Sequence, residues 1–394
     1  MTDAVPLRQR LLSIDALRGL VILFMLLDHV RETFLLHRQV SDPMTIDSTE
    51  PALFFSRTLA HLCAPVFVLL TGLSAWLYGQ KYQGRRDVSA FLFKRGLFLV
   101  VLEFTLVNFA WTFQLPPSVI YMQVIWAIGV SMITLAALVW LPRSLLIVLA
   151  VVIIAGHNLL DGLHFDAGSA LHIPWAILHE RSWIEVGDSL RLRITYPVLP
   201  WIGVIALGYS LGPWFAQGMP PALRQRYLLL GGMSALIGFV VLRAANGYGE
   251  KPWQAYDNGV QTLMSFFNIT KYPPSLLFLA LTLGIGLLLL LAFEKAGSKR
   301  WIGPARHLRC SADVLLPAAP VRAENPLRRV CGAVRPESRQ LLRRRRRGRH
   351  LAGGAAAAAG AVSAGTLVCR AQDATPRPGL AQVPVEARSM RESR

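Results

Sequence analysis

Residues 16–36 read ALRGLVILFMLLDHVRETFLL, and this stretch decides the fold. At about 1.5 Å per residue a helix of this length spans the roughly 30 Å of a bilayer's hydrocarbon core. Seven more stretches reach or approach the same length, at 52–78, 88–111, 119–141, 144–160, 196–215, 227–242 and 275–294. Composition agrees. The chain of 394 residues is 53% apolar and only 16% charged, where a soluble domain carries about a quarter. These features exclude an ordinary soluble enzyme. Open sheets cannot satisfy their backbone groups in lipid, so the expected fold is all-α: a polytopic transmembrane helical bundle of about eight spans.

The formal net charge of +18 divides unevenly. Residues 1–300 hold 23 Lys and Arg against 17 Asp and Glu, whereas 301–394 hold 18 Arg, no Lys and 6 acids. Within the apolar part the basic residues set the orientation. Arg8, Arg10, Lys81, Arg85, Arg86, Lys94, Arg95, Arg143, Arg224, Arg226, Lys295, Lys299 and Arg300 gather on one side. The expectation is a multi-pass protein of a bacterial inner membrane with a cytoplasmic N-terminus, and long external loops near 161–195 and 243–274.

An ionisable group inside a span costs about 2.5–3.5 kcal/mol on insertion scales, so each needs a partner or a task. Counting about 1.5 Å per residue, His29 lies about 20 Å up the first span and His61 about 14 Å down the second, at nearly one level. Asn108 falls near that level, Glu103 about 8 Å deeper, and Gln123 close to the outer face. A His beside a carboxylate, as in Asp28–His29, is suited to taking a proton from an amine or hydroxyl. The catalytic candidates are therefore His29, Asp28, His61 and Glu103, with Asn108 and Gln123 on the acceptor side. Arg57 is expected to snorkel outward or to pair with an acid of the first external loop. The loop histidines His157, His164, His172 and His179, with Asp161 and Asp166, show no metal-ligand spacing. They are expected as solvated loop residues, and no metal is expected. Cys63, Cys310, Cys331 and Cys369 form no ligand or disulfide framework.

Five separated strings carry a resemblance: RLLSIDALRGLVILFMLLDHVRETF (10–34), HLCAPVFVLLTGLSAWLYG (61–79), VIWAIGVSM (124–132), YPVLPWIGVIALGYSLG (196–212) and KYPPSLLFLALTLG (271–284). They are similar to bacterial membrane proteins grouped with the catalytic domain of heparan-α-glucosaminide N-acetyltransferase, over about 9–303. The resemblance implies a bundle of about ten spans. It also implies acetyl transfer from cytoplasmic acetyl-CoA to an extracytoplasmic amino sugar or related acceptor, with an intramembrane His assisting. Its anchors here are Asp15, Arg18, Asp28, His29, His61, Pro65, Lys271, Tyr272 and Pro273. Arg18, Lys271 and Tyr272 are thereby implied in substrate binding. The eukaryotic enzyme has its proposed active His in the first external loop, where this chain offers His37. The basic inner stretch, with Arg85, Arg86, Lys94 and Arg95, suits the phosphates of CoA. The partners implied are the bilayer, an acyl donor and an amino-sugar-like acceptor, without nucleic acid. The alternative reading is a small-solute or proton-coupled transporter using Asp28, His29 and Glu103, although no inverted repeat is visible.

Two regions are expected: an acyltransferase-like domain at 1–303 and an aberrant tail at 304–394. From 305 onward the chain has no Phe, Tyr, Trp, Ile or Lys, and it carries five successive arginines at 343–347 before an Ala/Gly-rich run. Such composition reads as disorder. It also reads as translation out of frame. Taken from the second base, Arg codons CGN become Val, Ala, Asp or Gly codons, and Ala codons become Leu, Pro, Gln or Arg codons. One such shift turns 311–322 and 343–352 into apolar, span-like sequence, the first containing a His. The expectation is a frame-shifted tail that costs the family its last two spans and, with them, activity.

Overall fold

The computed structural model describes residues 7–34, 41–82 and 84–296. The tail, its frame and the 303/304 boundary lie outside the described residues, as does His37. The described part is mainly helical. Helix α1 (Leu7–Phe34) leads to α2 (Pro51–Ala60), α3 (Cys63–Tyr82) and α4 (Arg85–Leu102). One π-helical turn (Glu103–Val107) joins α4 to α5 (Asn108–Thr112). After strand β1 (Val119–Met122) come α6 (Val124–Leu138), α7 (Arg143–Gly156) and α8 (His172–Leu178). Strands β2 (Trp183–Val186) and β3 (Leu190–Ile194) precede α9 (Leu199–Ser210), α10 (Pro221–Ala245), α11 (Gly259–Phe267) and α12 (Leu276–Ala296).

Four helices among the described residues are long and apolar enough to cross a membrane: Pro51–Lys81, Arg143–Leu160, Pro221–Ala245 and Leu276–Ala296. Val124–Leu138 and Leu199–Phe215 are shorter apolar helices. The first and last of the four long helices are mostly buried, whereas α7 and α10 bury under a quarter of their apolar windows. The core is thus centred on α3, α9 and α12, with α7 and α10 turning Val148, Val152, Leu230, Ile237 and Val241 outward. That is the arrangement expected where the surroundings are lipid.

Small residues set how closely the helices approach. A Cβ on Gly72 of α3 would run into the carbonyl oxygen of Ile205, and one on Gly208 of α9 into that of Leu69. Gly96 and Gly129 meet in the same way where α4 crosses α6, each added Cβ falling 2.6–2.8 Å from the other's carbonyl oxygen. Ion pairs add ties across the bundle. Arg224 of α10, 2% exposed, donates from Nε to Glu294 Oε1 of α12 at 2.7 Å.

Two departures from the expected all-α fold have clear causes. Val119–Met122, expected to open the fourth span, is instead a strand in a three-stranded sheet of order β1-β3-β2. It pairs parallel with β3 from Val119↔Arg191 to Met122↔Ile194, and β3 pairs antiparallel with β2. On the other edge of β1 the Asn108 side chain donates Nδ2 to Val119 O and accepts from Tyr121 N, each at 3.0 Å. Asn108 thereby serves two of the backbone groups on the edge that β3 leaves open. The sheet, α8 and α11 cap one end of the bundle, called here the sheet end. The second departure is a break between α2 and α3 at His61–Leu62. Pro65 has no N–H to give to the His61 carbonyl, so the helix cannot run through unbroken.

Candidate active site

At the sheet end a cavity of about 160 Å³ opens between the C-terminal part of α1, α2, the start of α3, Trp111 of α5, the start of α6 and the segment before α12. Its polar lining consists of Asp28, His29, Arg57, Gln123, Thr195, Tyr196, Lys271 and Tyr272. Met25, Phe67 and Ile128 add apolar walls. The His29 ring meets Trp111 edge-on, with centroids 6.3 Å apart. Across the cavity the Tyr196 and Tyr272 hydroxyls lie 3.2 Å apart, and Lys271 Nζ stands 5.1 Å over the Tyr272 ring. Lys271 is buried at 7% exposure. Burial opposes its charge, yet Tyr272 and Asp28 hold its ammonium above the ordinary lysine value.

Of the residues expected to share this level, His29 and Gln123 line the cavity. Asp28 lines it too, but its carboxylate is engaged elsewhere: Oδ1 accepts from Arg31 at 2.7 Å and Oδ2 from Arg57 at 2.8 Å. The expected His–carboxylate couple is thus an arginine-clamped aspartate beside a histidine. Arg57 reaches Asp28 across the α1–α2 contact at 2.8 Å, and its charge also acts on Asp42 of the first external loop. His61 is 2% exposed and turned to the core, its ring 5.3 Å from Phe278 of α12. The helix break at Leu62 sets that rotation, which an unbroken helix does not reproduce. Glu103 also faces away from the cavity. It accepts from the backbone N–H of Trp126 at 3.0 Å and so serves the first turn of α6, one of whose N–H groups has no partner within the helix. Asn108 is spent on β1. Arg18, on the opposite half of α1, donates to Leu70 O at 3.2 Å and to Ser74 Oγ, pinning α1 to α3.

The far end of the bundle holds a groove of about 320 Å³ lined by Trp76, Gln80, Arg85, Arg143 and Tyr209 among others. Arg85 donates one N–H to Trp140 O at 3.0 Å and Arg143 one to Ser210 O at 3.1 Å. Each guanidinium has five N–H groups, so both keep donors for an anion. Arg86, Lys94 and Arg95 do not line this groove; they stand exposed along α4, with Arg95 6.0 Å over Phe91.

Several working residues escape a reading of the sequence. Glu250 accepts from Thr270 N and Oγ1 and from Ser275 Oγ at 2.6–2.7 Å, which fixes the segment bearing Lys271 and Tyr272. Arg243, 2% exposed, donates to the carbonyls of Lys251, Ser265, Phe266 and Asn268 at 2.7–3.1 Å. A lone Glu and Arg in a loop-rich stretch give no spacing signal. His157 and His179, expected as solvated, are 2% and 4% exposed, and His157 Nδ1 lies 3.4 Å from His179 Nε2. Burial holds the His179 imidazole below its ordinary value, against the pull of Asp161. His179 borders a larger outer cavity of about 500 Å³, lined also by Asp42, Asp161, Glu250 and Tyr272.

Apolar helices of membrane length, with a cavity at one end of the bundle and an arginine-bearing groove at the other, fit a multi-helix membrane protein. The family described as heparan-alpha-glucosaminide N-acetyltransferase, catalytic, matches residues 10–241, more than half of the chain, and the chain belongs to that family. Membership supports a membrane acetyltransferase-like function, in a family that uses acetyl-CoA as donor. No curated protein matches the chain.

Proposed function

We propose that the protein transfers an acetyl group from acetyl-CoA, held at the groove of Arg85 and Arg143, to an amino sugar or related acceptor seated in the cavity of His29. The observation that supports this reading is the placement of His29 in a small cavity that it shares with Gln123, Tyr196, Lys271 and Tyr272. With the N-terminus cytoplasmic, the Arg85 end faces the compartment that holds acetyl-CoA and the sheet end faces out of a bacterial inner membrane.

In the reaction the thioester of acetyl-CoA, its phosphates held at the arginine groove, reaches into the bundle as far as the His29 cavity, where the acceptor amine attacks its carbonyl carbon. The C–N bond forms, the C–S bond breaks, and the amine's proton passes to the His29 imidazole. The thiolate of CoA takes a proton from solvent. Lys271 and the Tyr196–Tyr272 pair sit where hydroxyl groups and developing negative charge need donors. Gln123 and Trp111 supply a polar contact and a flat apolar wall for a sugar ring. Asp28, clamped by Arg31 and Arg57, positions α1 against α2 and keeps His29 at the rim.

The test is acetyl-CoA-dependent labelling of glucosamine by the chain reconstituted in vesicles. A parallel arm uses a gene whose codons from 304 onward are shifted by one base. Label in the acceptor is expected from the shifted version, with less or none from the chain as it stands. Absence of label in both arms contradicts the reading.

A further inference from the structure

Among the described residues, His157, Asp161 and His179 form the one grouping of three potential metal ligands whose donor atoms all lie within 4.8 Å of one another. We propose that these three side chains bind a single divalent first-row transition cation of the zinc class, with a fourth position open to the outer cavity.

Geometry carries the proposal. Ligands about 2.0–2.2 Å from a tetrahedral ion stand about 3.3–3.6 Å from one another. His157 Nδ1 and His179 Nε2 are 3.4 Å apart, and His179 Nε2 and Asp161 Oδ1 are 3.6 Å apart. The third pair, His157 and Asp161, lies within 4.8 Å, and the three residues come together from different places. His157 and Asp161 flank one 3-10 turn (His157–Leu160) at the end of α7, whereas His179 closes α8. That separation is why no short motif announces them.

Hydrogen bonding explains the cluster poorly. His179 Nε2 lies 2.9 Å from the His157 carbonyl, but His157 Nε2 is buried with no hydrogen-bond partner. The pair is thus only partly satisfied: metal binding would replace the His179 contact with the His157 carbonyl, and one buried nitrogen has no partner. The surroundings are those of an oriented site. Asn158 Nδ2 donates to Asp161 Oδ2 at 2.8 Å and leaves Oδ1 turned to His179, while Asn158 Oδ1 accepts from Leu276 N at 2.8 Å. Trp175 stacks on the His179 ring at 5.1 Å. Asn158 and Trp175 thereby orient Asp161 and His179, whereas His157 has no such partner at Nε2. Two imidazoles and one carboxylate suit zinc better than magnesium or calcium. Asp161 is half-exposed, and with His179 it borders the outer cavity, so the vacant coordination position faces a space able to admit water or a ligand oxygen.

The test uses the full chain in detergent, stripped with a chelator and titrated with Co²⁺ as a spectroscopic stand-in for zinc. One equivalent per chain is expected, with the strong visible absorption of four-coordinate Co²⁺. His179→Gln and Asp161→Asn should each weaken binding by about tenfold or more. Asp161→Asn changes a half-exposed side chain, so its metal-free thermal transition should match the parent's and separate loss of the site from loss of the fold. Binding by the parent no tighter than by either variant, or weak six-coordinate absorption that Asp161→Asn leaves unchanged, overturns the proposal. Neither readout depends on acetyl transfer.

Discussion

Glu103 shows how chemistry and structure compete for one side chain. A carboxylate inside a span invites a catalytic reading, but its Oε2 is occupied by the Trp126 N–H at the start of α6. Removing a buried acceptor costs about 1–3 kcal/mol. Glu103→Ala should therefore lower the thermal transition while the transfer rate per folded molecule stays near the parent's. A selective loss of rate at full stability, measured side by side, would restore Glu103 to the active site. Asp42 makes a prediction in pH. Burial raises its carboxyl above the ordinary value, opposed by Lys271 and Arg57. The folded state thus binds this proton more tightly than the unfolded one, and the stability it contributes is lost as pH rises through the folded value. Asp42→Asn should melt higher than the parent at pH 7, with the gap closing as pH falls below about 4. A gap that widens in acid would reverse the assigned sign.

Among the helices, contact is governed by glycine where a side chain would hold the backbones apart. At the α3–α9 crossing, Gly72 and Gly208 each face the other helix's carbonyls. Gly72→Val has no flexible neighbour to displace, and overpacking of this kind costs about 1–3 kcal/mol or more. Its thermal transition in detergent should fall well below the parent's, whereas Gly238→Ala, with open space around it, should leave the transition unchanged. Equal transitions for the two variants would mean that the crossing is not set by these glycines. The strand Val119–Met122 marks the limit of hydropathy at this level. VIYM is as apolar as the helix that follows, and its fate is decided by β3, some seventy residues away, and by Asn108. The break before Pro65 was visible as a residue type, but its consequence, the turning of His61 onto Phe278, depends on α12.

For the molecule as a whole, the sequence made the helical bundle, the family and the polar character of one end legible. Apolar length and five motifs do not depend on how the helices are rotated about their axes. The site was legible only in part, because depth along a helix can be counted from sequence and rotation cannot. His29, Gln123, Lys271 and Tyr272 share the cavity, whereas His61, Glu103, Asn108 and Arg18 stand at other helix faces and serve packing or capping. The paired histidines His157 and His179 were hidden for the complementary reason: loop residues brought together by α7 and α8 have no period to betray them. The proposed mechanism assigns the proton-accepting step to one imidazole, that of His29. The most direct measurement is the steady-state acetylation rate of His29→Ala against the parent in the same vesicles, with equal thermal transitions as the control for folding. The account predicts a loss of kcat of about a hundredfold or more, the usual contribution of a general base. A loss below about threefold would contradict it, because acetyl transfer would then be proceeding without the residue around which the cavity is built.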